Sequence, residues 1–144
     1  MGWFNAYGLV FMAVIMVPNI IYAVKQKPNL STFQNKTVAF LEQIGRYGCF
    51  FFMIFNLPYT CFGYWFDCAS TVYWSVNSVF CLAYLIFWAL CWKRNDLLKA
   101  LALSVLPTCI FLFSGVILIN IPLMIFAVLF GFSHIYLSYK NVKQ

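Results

Sequence analysis

The chain has 144 residues, of which 65% are hydrophobic and only 8% charged, with a mean hydropathy of +0.88. A soluble domain carries about a quarter charged residues, so a surface of this composition does not face water. The formal net charge of +6 does not mark a nucleic-acid binder, because the cations fall mostly between apolar runs and no basic stripe interleaves with stacking aromatics.

The apolar runs have the length, about twenty residues, that crosses a hydrocarbon core of roughly 30 Å. The first is expected from Trp3 to Val24. No basic stretch precedes it and no small-residue cleavage site follows, so it reads as a retained span rather than a signal peptide. A polar break from Lys25 to Lys36 comes next, with Ser31 or Thr32 as candidate caps for the following helix. The second span is expected from Val38 to Phe66, kinked at Pro58.

A short turn at Asp67–Ser70 leads to a third span, Thr71 to Trp92, closed by Lys93-Arg94-Asn95-Asp96. The apolar stretch from Leu97 to Tyr139 would run about 65 Å as one helix, twice the bilayer. It must fold back, and Asn120-Ile121-Pro122 is the breaker near its middle. The fourth and fifth spans are therefore expected at 97–119 and 122–139.

These elements make one all-α membrane domain over residues 1–144, a bundle of five transmembrane helices. Lys25, Lys27 and Lys36, then Lys93, Arg94 and Lys99, then Lys140 and Lys143 fall on one side of such a bundle. The rule that basic loops stay in the cytoplasm then puts the N-terminus outside and the C-terminus inside. Trp3, Trp65 and Trp74 would form an outer aromatic belt, and Trp88 and Trp92 an inner one. The expected location is a bacterial plasma membrane, crossed several times.

Topology converts sequence position into depth. Asn19, Glu42, Arg46, Lys99, Ser104 and His134 would share a layer in the cytoplasmic leaflet. As a site, that layer offers Arg46 as an anchor for an anion and His134 as a proton carrier. Glu42 and Arg46 are also spaced i, i+4 with the acid first, the favoured order for a helix-surface pair that needs no ligand. Asn56 is expected near mid-membrane above the Pro58 kink, where it would either satisfy freed backbone or line a path; Asn77 belongs to the same deeper group.

The six cysteines show no metal-ligand spacing, one histidine cannot supply two haem ligands, and three acidic residues cannot build a carboxylate cage. No metal and no cofactor is expected. Phosphate-loop, dinucleotide and hydrolase motifs are missing as well.

The segments LEQIGRYG (Leu41 to Gly48), FNLPY (Phe55 to Tyr59), INIPL (Ile119 to Leu123) and SHIYLSYKN (Ser133 to Asn141) resemble a family of small, uncharacterised multi-span bacterial membrane proteins. The resemblance implies a membrane bundle and supplies no activity.

Three functions fit. A transporter-like or channel-like unit for a small molecule or ion predicts a hydrated cleft reaching Asn56, and at this length it is expected to need a second copy or a partner subunit. A membrane enzyme acting on a lipid or lipidated substrate requires Glu42, Arg46 and His134 to converge. A structural or regulatory subunit requires only that the polar residues pack helices. The bilayer is the one partner that composition implies; nucleic acid is excluded.

Overall fold

A computed structural model describes residues 2–25, 35–93 and 96–142. It contains five helices: α1 (Ala6–Lys25), α2 (Lys36–Ile54), α3 (Ala69–Leu90), α4 (Leu97–Ile117) and α5 (Ile121–Val142). No strand occurs among the described residues, only two isolated bridges. Four helices, α1, α3, α4 and α5, are long and apolar enough to cross a membrane. The second, 19 residues long, is diluted by Lys36, Glu42 and Arg46.

The helices close into a ring. α1 packs on α2 and α3, α4 lies between α3 and α5, and α5 returns to α2. Two glycines set the closest approaches. A methyl at Gly45 would stand 2.7 Å from the Phe130 backbone nitrogen, so α2 and α5 touch main chain to main chain there. A methyl at Gly8 would run into the Met53 carbonyl, which fixes α1 against α2. Inside the ring Met53, Tyr73, Tyr84, Phe111 and Leu123 are fully buried. The outward faces carry Val24, Leu82, Leu90 and Phe132, all more than half exposed. Exposed apolar side chains on that scale fit lipid contact rather than water.

Asparagines start three of the helices. Asn35 accepts from the Thr37 amide (3.2 Å), Asn5 from Gly8 (3.1 Å) and Asn120 from Leu123 (3.2 Å), each filling one of the amides that a helix start leaves unpaired. Ser31 and Thr32 lie outside the described residues. Pro122 sits in the first turn of α5, where a missing amide hydrogen removes no helical bond. Pro18 and Pro107 lie inside α1 and α4, as the sequence suggests.

The second span departs from expectation. α2 does not continue through Pro58 to Phe66 but ends at Ile54. Proline disfavours helical backbone at the residue before it and has no amide hydrogen of its own, and Tyr59 then turns into the left-handed region (φ 67°). The chain pairs with other segments instead. The Asn5 amide donates to the Ile54 carbonyl (2.7 Å), and the Asn56 amide to that of Trp3 (2.8 Å). Further on, Ile121 donates to Thr60 (3.1 Å) and Gly63 to Leu118 (3.0 Å). Residues 55–68 thus form a cap over the end of the ring where α1 begins.

Candidate functional site

A cavity of about 630 Å³ opens at the opposite end, where α1 and α3 finish and α2 and α4 begin. All five helices line it, each through residues spaced four or three to four apart. Ile15, Asn19 and Tyr22 come from α1; Arg46 and Phe50 from α2; Tyr84 and Trp88 from α3. Lys99, Leu103, Pro107 and Phe111 run down α4, and Phe130, His134 and Ser138 down α5. Side chains at that spacing stack on one helix face. The deep walls are apolar and aromatic, and the polar groups gather toward the mouth.

Glu42 organises one wall. Its carboxylate is buried at 3% exposure and is not itself part of the lining. It forms an ion pair with Arg46, one turn along α2, and receives His134 Nδ1 at 3.1 Å from α5. A carboxylate only accepts, so this contact puts an imidazole proton on Nδ1. The ring also stacks on Phe130 with 4.8 Å between centroids and 17° between planes. Two side chains that face the cavity are therefore held by one that does not.

Lys99 stands on the other side. Its ammonium donates to the Trp92 carbonyl (3.3 Å) and lies over the Tyr22 and Trp88 rings at 4.7 and 5.2 Å. Both ring distances fall within the range of a cation–π contact. No carboxylate pairs with it among the described residues. The only acid in the lining is Asp96, exposed at the start of α4. Beneath, Ser104 and Ser138 share a hydrogen bond of 2.7 Å, and Tyr84 donates to the Asn19 side chain at 3.0 Å. The Trp88 indole nitrogen is the one buried side-chain polar atom without a hydrogen-bond partner among the described residues.

Of the residues singled out in the sequence, Asn19, Arg46, Lys99, Ser104 and His134 line the cavity, and Glu42 holds two of them. Asn56 and Asn77 do not belong to this site. With α2 ending at Ile54, Asn56 lies in the cap rather than mid-helix, where its amide donates to the Gly2 carbonyl (3.0 Å) and its oxygen accepts from Cys61 Sγ (3.6 Å). The cleft does not reach it. Asn77 is fully buried and exchanges hydrogen bonds with Ser114, joining α3 to α4. Tyr84, Trp88 and Ser138 belong to the cavity but were not among the candidates. Their signal was spacing: Ser138 follows His134 by four residues, and Trp88 follows Tyr84 by four.

No group of three or more His, Cys, Asp or Glu residues capable of holding a metal occurs among the described residues. No family model, curated protein or solved structure matches the chain, so the geometry alone carries the functional argument.

Proposed function

We propose that the protein crosses the membrane five times, N-terminus outside and C-terminus inside, and binds a small anionic amphiphile in the cavity at its inner end. The observation that carries this reading is the balance of charge on the wall. Arg46, Lys99 and His134 face one cavity; Glu42 behind the wall matches Arg46, and Lys99 has no carboxylate partner among the described residues. Arginine and lysine both bind anions, arginine through a planar fork and lysine as a point charge. The aromatic depth formed by Phe50, Phe111 and Phe130 suits an apolar tail. Handing such a ligand on, as a transport unit would, requires a second copy or a partner subunit at this size.

The test uses purified protein in a nonionic detergent. Hexanesulfonate should bind and raise the unfolding temperature, methanesulfonate should bind more weakly, and hexyltrimethylammonium should do neither. Equal stabilisation by the anionic and cationic amphiphiles would refute an anion site. Methanesulfonate binding as tightly as hexanesulfonate would make the ligand a free anion rather than a lipid-like one.

A second reading rests on the contact between Glu42 and His134. A carboxylate that fixes an imidazole leaves Nε2 as a general base in the cavity that the Ser104–Ser138 hydroxyl pair also lines. The convergence of Glu42, Arg46 and His134 meets the geometric requirement of an enzyme acting on lipid from the inner face. New products from phospholipid vesicles, absent with His134→Gln, would favour it over binding alone.

A further inference from the structure

We propose that anion binding in this cavity takes up one proton, on His134 Nε2, so that occupancy is coupled to pH. The inference rests on the anion reading above and adds a second, exchangeable partner to it. It starts from the charge count around Glu42. With His134 neutral, the Glu42 carboxylate and the Arg46 guanidinium cancel, and the clamp as a whole carries no net charge. An anion entering beside it then brings an unbalanced negative charge into a wall backed by Phe50 and Phe130. Such a charge is costly in apolar surroundings unless it is paired.

Arg46 cannot supply the balance alone, because its charge is already matched by Glu42. Lys99 can contribute, but its ammonium is held over the Tyr22 and Trp88 rings and hydrogen-bonded to the Trp92 carbonyl. His134 is the remaining group whose charge can change near neutral pH. Its Nδ1–H is directed to Glu42, which leaves Nε2 on the opposite edge of a ring that lines the cavity. Protonation there turns the lone pair into a second N–H donor, aimed away from Glu42. The imidazolium then sits between two anions, Glu42 on Nδ1 and the ligand on Nε2. The proton comes from water at the cavity mouth, and no other bond is made or broken.

Titratable and charged groups reach the cavity from every other helix packed around it. They are Glu42 and Arg46 from α2, Asp96 and Lys99 from α4, Tyr22 from α1 and Tyr84 from α3. Asp96 is exposed at the mouth, and among these side-chain types imidazole is the one whose charge ordinarily changes near neutral pH. A proton exchanged between about pH 5.5 and 8 is therefore assigned to the imidazole.

The probe is hexanesulfonate, a monoanion throughout that range, so that any proton exchanged belongs to the protein. Titration calorimetry in two amine buffers of different ionisation enthalpy reads the protons taken up per anion bound. The expected result is an uptake of up to one proton per anion, largest at the alkaline end of the range. Affinity should then rise up to tenfold for each pH unit lowered and level off once the ring is protonated. His134→Gln should still bind through Arg46 and Lys99, with no uptake and a flat pH profile.

Glu42→Gln keeps the imidazole but removes the carboxylate that favours its cation, so the midpoint of the pH profile should move to lower pH. A merely structural Glu42 would leave that midpoint in place. Binding by the unaltered protein with no proton exchange overturns the proposal while leaving the anion site standing. An unchanged pH slope in His134→Gln also overturns it. Absence of hexanesulfonate binding at every pH refutes the anion site itself, and the coupling with it.

Discussion

At the end of the ring where α1 begins, Asn5, Asn56 and Asn120 hold backbone groups of neighbouring segments; at the end where α1 finishes, Arg46, Lys99 and His134 surround open space. Asparagine carries a donor and an acceptor on one short, neutral group, so it can satisfy main chain on both sides and leave nothing over. Asn120 does this, donating to the Phe52 carbonyl (3.0 Å) while it accepts from Leu123. Lysine and arginine only donate. Gathered with few acids, they remain able to take an anion. One end is closed by neutral groups that are satisfied; the other is left open around Lys99, which no carboxylate among the described residues pairs.

The comparison breaks most readily at Asn120. Replacing it with alanine should cost about 2–3 kcal/mol, since a buried carbonyl and a helix-start amide lose their partner together. Thermal unfolding in detergent would read the loss, and the affinity of the surviving folded protein for hexanesulfonate should not change. A comparable fall in affinity would mean that the two ends are not independent.

Lys99→Met should behave in the opposite way. Affinity for hexanesulfonate should fall about tenfold or more, which is about 1.4 kcal/mol, with unfolding temperature unchanged or slightly raised. Methionine keeps the aromatic contact and removes a charge with no carboxylate partner, so lost stability with intact affinity would assign Lys99 to the scaffold.

Asn56→Ala should cost about 1 kcal/mol of stability and leave binding untouched, as expected of one hydrogen bond to Gly2. The smallest effect concerns orientation and rates rather than free energy. Cys68 is exposed in the cap, whereas burial pushes the Cys61 thiol above its usual range. A raised pKa means less thiolate at pH 7.5, so a membrane-impermeant maleimide should label Cys68 of intact cells faster than Cys61. Labelling of Cys68 only after the membrane is opened would reverse the proposed orientation.

Much of the bundle was legible because hydropathy and breakers act locally. The boundaries expected for the first, third, fourth and fifth helices fall within a few residues of those observed. That Asn19, Arg46, Lys99, Ser104 and His134 meet at one end of the bundle was legible as well, because counting residues from each basic loop gives expected depth. What depth cannot give is azimuth, and so Tyr84, Trp88 and Ser138 were missed although they stand at the right level. The end of α2 was hidden for another reason. Phe55 to Phe66 is as apolar as a span, and only pairing with Trp3 and Asn5, distant in sequence, draws it out of the helix. Asn56 was misplaced with it.

The glycine seam between α2 and α5 bears on how the protein is made. On the five-span arrangement proposed above, α2 is the helix least able to remain in lipid alone, because it carries both a carboxylate and a guanidinium within its length. Its relief comes from α5, through Gly45 against Phe130 and Glu42 against His134. Yet α5 leaves the ribosome only after α2, α3 and α4. Stable insertion of α2 must therefore wait for the rest of the chain, so a nascent protein cut short before residue 121 should expose its second segment to quality-control proteases that ignore the finished bundle.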